Sequence, residues 1–339
     1  MSAAAAETTG RFAPTCAVVV CTRDRPALLD RCLAAATRLE YPRFGILVVG
    51  NAPTTDETRE VARRWGAGYA VEPVPGLSRA RNRGARASAT DIMAYLDDDS
   101  LPEPDWLDAF VPEFDDGRVM AVTGRILTIQ DGTESATVRA LHATFDCGAE
   151  RRVVDQSVAS WFELANFGGV GDGGNMALRR RAFDIWPGFQ ERLGRGAWVP
   201  GGEEHHAFFS LVDRGHRVVY TPRAVVHHPY PRELRDFRAR LVRNRAAAAG
   251  YMTLLLVEES RYRRTLLKYV TEWLAGKPRT WRALATPAQP RVVPRWRMAV
   301  AGLRGPLLYA CARLGPTPTA GRAAACAERT RAGALDSAS

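Results

Sequence analysis

Three consecutive carboxylates, Asp97-Asp98-Asp99, close the apolar run Ala94-Tyr95-Leu96 and lead into Ser100-Leu101-Pro102. Adjacent aspartates repel one another and are poor strand formers, so a chain carries them most easily at the carboxyl end of a strand. A cation fits such a place. Mg²⁺ and Mn²⁺ prefer hard oxygen ligands and commonly bridge one or two carboxylates to the phosphates of a nucleotide. Alone, the three aspartates read equally as a solvated acidic turn that caps the next helix, so the elements around them have to decide.

Those elements alternate. Residues 15–21 are a continuous apolar run suited to a strand covered on both faces. Asp24 or Arg25 then N-caps a helix with Pro26 in its first turn, and Leu28, Leu29, Cys32, Leu33 and Ala36 form its apolar stripe. Residues 46–49 are a second buried strand ending at Gly50-Asn51, and Thr55 or Asp56 caps a helix through Trp65. Residues 68–71 form a short third strand. After the Pro75-Gly76 turn, Ser78 caps a helix through Ala89, and residues 91–96 are the fourth strand. Four strand–helix rounds predict an α/β chain with an open, mostly parallel sheet flanked by helices. In such sheets ligands bind outside the carboxyl ends of the strands, which is where segments 22–25, 50–56 and 97–99 all fall. No G-x-G-x-x-G follows the first strand and no G-x-x-x-x-G-K-[ST] occurs, so neither a dinucleotide fold nor a P-loop is expected.

Beyond the aspartates the pattern predicts a helix over 102–110, a strand over 119–129 and short helices near His142 and Trp161. The glycine-rich stretch 167–175 leads to apolar Met176-Ala177-Leu178 and a helix from Arg180. Glu203-Glu204-His205-His206 opens a helix to about Asp213, followed by strand-like pieces at 217–220 and 225–228. The segment 231–275 reads as a basic helical extension, 276–294 as a linker, then a short helix and a frayed tail to 339; residues 1–13 read as disordered.

The net charge of +10 is unevenly spread. Residues 231–339 hold 21 of the 47 basic side chains and 7 of the 37 acidic ones, a surplus of 14, so the basicity belongs to the C-terminal third. An arginine-rich surface of that kind suits a polyanion, a membrane or a partner, and equally a solvated helical face. Nucleic acid is not expected, because the basic third lacks an interleaved aromatic or zinc pattern. The six cysteines show no C-x-x-C pairing, which favours a reducing cytoplasm. Residues 2–9 do not read as a signal peptide. The longest apolar run, 246–257, is far short of the about 20 residues that span a bilayer. Basic 232–245 beside this run predicts at most peripheral contact with an anionic membrane.

Several motifs stand in a definite order: Val18-Val19-Val20-Cys21-Thr22-Arg23-Asp24-Arg25-Pro26, Pro75-Gly76-Leu77-Ser78-Arg79-Ala80-Arg81-Asn82, Leu96-Asp97-Asp98-Asp99, Asp172-Gly173-Gly174-Asn175-Met176, Gly201-Gly202-Glu203-Glu204 and Val226-His227-His228. The set resembles the large inverting nucleotide-sugar glycosyltransferase family called family 2, of GT-A fold, in bacterial form. It covers roughly residues 15–230, about two thirds of the chain. The resemblance implies a domain over 14–230, with a nucleotide-binding half at 14–100 and an acceptor half at 101–230.

Its implications are specific. Asp99 ligates Mg²⁺ or Mn²⁺, with Asp97 and His228 completing the metal shell, while Asp97 and Asp98 face the ribose or the sugar. Arg81, and second Arg79, contact the pyrophosphate; Thr22, Arg23, Asp24 and Asn51 line the donor site. Glu204 is the base, with Glu203 the runner-up, and Gly173, Gly174 and Asn175 lie on the acceptor side. The donor implied is a UDP-sugar, with dTDP and GDP open, and the acceptor is an envelope lipid or glycan or a secondary metabolite. Two departures stand out. Glu204 replaces the aspartate usual for the base, and Gly50 stands where the family reads the nucleotide base with an aspartate. These leave open a non-catalytic nucleotide-binding protein with a degenerate fold. A nucleotidyltransferase, which also joins acidic clusters to a metal, is the third reading.

Overall fold

The computed structural model describes residues 13–130, 132–274 and 292–315. The first half is a strand–helix alternation: β1 (Cys16–Thr22), α1 (Pro26–Ala36), β2 (Phe44–Asn51), α2 (Glu57–Arg64), β3 (Gly68–Glu72), α3 (Leu77–Ala87) and β4 (Ile92–Asp97). β5 (Leu101–Pro102), α4 (Trp106–Phe110), β6 (Val119–Thr128), α5 (Ala136–His142), β7 (Arg152–Val154), α6 (Trp161–Asn166), β8 (Asn175–Arg179) and α7 (Ala182–Ile185) follow. The remainder is α8 (Glu203–Asp213), β9 (Arg217–His228), α9 (Leu234–Glu258), α10 (Arg263–Leu274) and α11 (Arg295–Leu314).

The strands form a nine-stranded sheet ordered β3-β2-β1-β4-β8-β6-β9-β5, with β7 paired to β9. β3, β2, β1 and β4 are parallel. The chain steps outward from β1 to β2 to β3, then crosses to β4 on the other side of β1. That reversal opens a crevice at the carboxyl ends of β1 and β4, the place where open α/β sheets take their ligands. Past β4 the sheet is mixed. β8 runs antiparallel to β4 and β6, because it enters from the glycine-rich loop after α6 rather than through a crossover helix. β6 and β9 are parallel, with β5 and β7 antiparallel to β9.

Alternation along β1 explains its uninterrupted apolar sequence. Val18 and Val20 pack with Leu29 and Leu33 of α1 and Trp106 of α4 on one face, while Val19 packs with Ala80 of α3 and Phe208 of α8 on the other. Tyr251, Leu254 and Leu255 of α9 join the second core. Leu28 is only half-buried, and Ala35 takes its expected place in the α1 stripe.

Some local expectations give way. Leu101-Pro102 is an edge strand paired with His227 and Val226 rather than the start of a helix, a position where proline's missing N–H does no harm. Ser78 does not cap α3; the helix begins at Leu77 behind Gly76, and the Ser78 hydroxyl donates to the Leu193 carbonyl at 2.7 Å. Segments 217–220 and 225–228 are one strand. α11 is a 20-residue helix where a short piece was expected. The disorder expected at 1–13, and the expected linker and tail, fall outside the described residues except at their margins.

Candidate active site

β4 ends on Asp97, and the chain turns back through Ser100, whose N–H donates to the Asp97 carbonyl at 3.0 Å. β5 then pairs with β9 in a register that sets Leu101 opposite His227. This short pairing brings the end of β9 to the aspartates. His228 Nε2 lies 3.1 Å from Asp99 Oδ1 and 3.9 Å from Asp97 Oδ2. One ligand atom from each of the three side chains lies within 4.8 Å of the other two. Around a six-coordinate ion with bonds of about 2.1 Å, neighbouring ligand atoms sit roughly 3 Å apart and opposite ones about 4 Å. Two carboxylates and an imidazole gathered this closely could hold a single Mg²⁺ or Mn²⁺ after small side-chain adjustments.

Electrostatics separates the three aspartates. Burial works to raise Asp99, but His228 and Arg25 hydrogen-bond it and hold it well below the usual carboxylate range. Asp98 is buried, and burial pushes it up to about 6 against the pull of Arg25 and Thr22. Its two oxygens accept from the Thr22 hydroxyl at 2.7 Å and from Arg25 Nη1 at 2.5 Å. The other nitrogen of that guanidinium, Nη2, donates to Asp99 at 2.7 Å. For His228, burial opposes protonation, but Asp99 and then Asp97 raise the imidazole above its ordinary value.

Across the crevice, Gly202 in a left-handed conformation opens α8, so Glu203 and Glu204 occupy its first turn. Arg81, 3% exposed, reaches over from α3. Its Nη1 lies 3.1 Å from Glu203 Oε1, and its Nη2 donates to the Gly173 carbonyl at 2.8 Å. Glu204 sits beside that pair and feels both its members. Its Oε2 is buried without a hydrogen-bond partner, and His205 Nε2 is 3.8 Å from its Oε1. Burial, then the charge of Asp172, pushes Glu204 up to about 7; burial, then Glu204, does the same to Glu203. Burial lowers His205 and brings His206 down to about 4, so both are neutral at pH 7. The two sides meet at the glycine-rich loop. A Cβ at Gly173 would lie 2.9 Å from that of Glu204, and one at Gly174 would lie 2.7 Å from Asp97 Oδ2. Only glycines allow this approach.

Residues 17–186, half of the chain, match the family model described as Glycosyl transferase family 2. The chain belongs to glycosyl transferase family 2. The pre-mycofactocin glycosyltransferase of Mycobacterium tuberculosis is 32% identical over 167 residues, 49% of this chain and 32% of that protein. The chain thus spans about a third of the length of that relative. The succinoglycan biosynthesis protein ExoM of Rhizobium meliloti is 28% identical over 251 residues, 71% of this chain and 75% of that one. Among solved structures, a mannosyltransferase of Pyrobaculum calidifontis in complex with GDP-Man and Mn²⁺ superposes with a TM-score of 0.52 at 20% identity. It covers 96% of this chain and 81% of its own, and it supports the GT-A fold.

Within this family 2 chain, not every residue expected at the site faces it. Asp98 and Thr22 are buried, hydrogen-bonded to each other, and Asp98 also to Arg25. Arg79 pairs with Glu191 at 2.6 Å instead of turning to the carboxylates. Asn175 is fully buried; its amide donates to the carbonyls of Arg125 and Ala224 and accepts from the Trp106 indole, which makes it a joint between strands. Arg23 is half-buried in the loop after β1. Asp24 has a φ of 51° and accepts from the Thr54 N–H at 2.9 Å, tying the ends of β1 and β2 together. Asn51 Oδ1 accepts from the Gly76 N–H at 3.1 Å. Sequence reasoning missed Arg25, which follows β1 directly, and Asp172, which stands inside the glycine motif.

Gly50 has a physical reason. A Cβ there would fall 2.1 Å from Tyr69 Oη, which also lies 3.0 Å from the Thr58 hydroxyl. The tyrosine fills the space an aspartate would need. Gly50→Ala is expected to lower stability by about 1–2 kcal/mol, since Tyr69 must swing out and lose Thr58. Thermal melting checks this, and Gly50→Ala combined with Tyr69→Val should recover most of the loss.

Proposed function

We propose that this chain transfers a sugar from a nucleoside diphosphate donor to an acceptor hydroxyl, with inversion and with help from a divalent cation. The observation that carries the reading is the meeting of Asp97, Asp99 and His228 with Glu204 across the crevice at the carboxyl ends of β1 and β4. The acceptor oxygen attacks the anomeric carbon as the bond to the diphosphate breaks. The acceptor proton passes to the Glu204 carboxylate, and the bonding electrons leave with the diphosphate. Asp97, Asp99 and His228 would hold a Mg²⁺ or Mn²⁺ ion, whose charge offsets that of the departing diphosphate. Arg25 keeps Asp98 and Asp99 in place, and Arg81 fixes both the glycine loop and the start of α8, so that Glu204 is held at a set distance.

The structural neighbour holds GDP-Man, which supports a nucleotide sugar as the donor class. UDP, GDP and dTDP are the nucleotides to test, because Gly50 takes the place of the aspartate that the resemblance implies for reading the base, and Tyr69 fills the space beside it. The acceptor is an envelope lipid or glycan or a secondary metabolite. Cys16, Cys21, Cys32, Cys147 and Cys311 are free thiols, which supports a reducing cytoplasm as the place of reaction.

A melting screen of nucleoside diphosphates with and without Mn²⁺ tests the reading. One diphosphate should raise Tm in a Mn²⁺-dependent way, by about 2.7 kcal/mol of stability at a hundredfold excess over Kd. Its sugar conjugate should then be turned over and lose turnover in EDTA. Metal-dependent binding without turnover across an acceptor panel would favour the non-catalytic reading, and release of pyrophosphate would favour nucleotidyl transfer.

A further inference from the structure

α11 carries a surface that the crevice does not use. One side of the helix lies on α9. Ala301, Gly305 and Tyr309 are buried there, and a Cβ on Gly305 would lie 2.4 Å from that of Ala249 and 2.5 Å from the Gly250 nitrogen, so the two helices touch backbone to backbone. Both ends are tied. Arg238 Nε donates to the Val292 carbonyl at 2.9 Å, and the Tyr309 hydroxyl donates to Glu258 at 2.8 Å. The outward face therefore has no freedom to roll inward.

That outward face is apolar. Trp296, Val300, Leu303, Leu307 and Leu314 are all more than half exposed, from 51% at Val300 to 85% at Leu314. At roughly 100° per residue they fall in one narrow stripe opposite the buried side. The arginines of the helix, Arg295, Arg297, Arg304 and Arg313, fall roughly 80–100° to either side of the stripe. No aspartate or glutamate occurs in 295–314. Arg238 and Arg297 line one shallow hollow beside the start of α11, and the Arg245 guanidinium runs alongside Gly302. Long basic side chains at the edges of an apolar stripe are the arrangement that lets a helix lie in a lipid interface, with charges reaching the headgroups and apolar tips in the acyl boundary.

We infer that this face of α11 seats the protein on an anionic lipid surface. Charge chooses the occupant. A second copy of the chain docked stripe to stripe would bring like arginines together, with no acid on the helix to offset them. An anionic bilayer meets both the stripe and its edges. No helix among the described residues is long and apolar enough to cross a membrane, so the contact is peripheral. The inference also moves the membrane face expected from sequence. Ala246, Ala247, Gly250, Tyr251, Leu254 and Leu255 in the apolar run 246–257 are buried: Ala247 and Tyr251 face Gly201 and Gly202 ahead of α8, Leu254 and Leu255 belong to the core, and Gly250 meets α11.

Flotation of the full chain with vesicles tests this. The chain should float with phosphatidylcholine vesicles containing phosphatidylglycerol at low salt, less at high salt, and little with phosphatidylcholine alone. Leu303→Ser with Leu307→Ser should weaken binding at least ~10-fold while leaving Tm close to wild type, since both side chains are exposed. Arg304→Gln with Arg313→Gln should weaken it by a similar factor and flatten the salt dependence. Absence of flotation overturns the proposal, as does flotation unchanged by the leucine pair or equal without phosphatidylglycerol. A dimer in light scattering that the leucine pair dissociates, without flotation, overturns it in favour of a second copy.

Discussion

Asp99→Asn is expected to lower kcat/KM for the accepted donor by about a thousandfold, near 4 kcal/mol of lost transition-state stabilisation. One oxygen lies 3.1 Å from His228 and the other accepts from Arg25 at 2.7 Å, so this carboxylate joins the end of β9 to the loop after β1. Asparagine keeps the shape and removes the charge, leaving Asp97 and His228 as an incomplete set. Calorimetric titration with Mn²⁺ is the readout independent of turnover: affinity should fall at least tenfold in Asp99→Asn. Unchanged Mn²⁺ affinity, or turnover still sensitive to EDTA at wild-type rate, would remove Asp99 from the site.

Glu204→Gln should lower kcat by about 10²–10⁴, the range for loss of a positioned base. Arg81 engages one Glu203 oxygen at 3.1 Å and leaves the other without a partner, so Glu203→Gln is the parallel variant, expected to lose less activity. The pH profile carries more information than the loss itself. Burial and Asp172 push Glu204 up to about 7, and only its ionised form accepts a proton, so wild-type kcat/KM should climb as pH rises through about 7 and then level off. Stability should move the other way. A carboxyl raised from 4.5 to about 7 in the fold binds more protons native than unfolded over that window, so stability falls as pH rises through it. Glu204→Gln removes this penalty and should melt higher than wild type at pH 8, by on the order of 1–3 kcal/mol of stability, while turning over far less. Full activity in Glu204→Gln would assign the proton transfer elsewhere.

The four parallel strands and their helices were legible because their signals are local. Val18 and Val20 take one face of β1 and Val19 the other, and a strand covered on both sides must read as unbroken apolar sequence. The crevice followed from counting strand–helix rounds. What stayed hidden depends on partners distant in sequence. Met176-Ala177-Leu178 announces a buried strand, but nothing nearby says that it slots antiparallel between β4 and β6. Asn175 reads as ligand-facing beside its glycines, yet the Arg125 and Ala224 carbonyls that engage it lie some 50 residues away on either side. Arg25 looks like a helix start until the fold sets Asp98 beside it. The apolar run at 246–257 looks like a membrane face because what buries it, α6, α8 and the turn at Gly201-Gly202 on one side and α11 on another, lies elsewhere in the chain.

If position 50 reads the nucleotide base, as the family resemblance implies, the close packing of Gly50 and Tyr69 constrains how this chain can change its donor. Restoring an aspartate at position 50 by a single substitution drives a carboxylate into the tyrosine ring's end, while trimming Tyr69 first opens a void beside α2. Each order of steps passes through a weakened intermediate, and residues in direct contact commonly couple by about 0.5–3 kcal/mol. The two positions therefore form an epistatic pair. Any route that swaps nucleotide preference through this corner must cross a stability valley or change both residues together, which makes the pair a natural starting library for donor engineering.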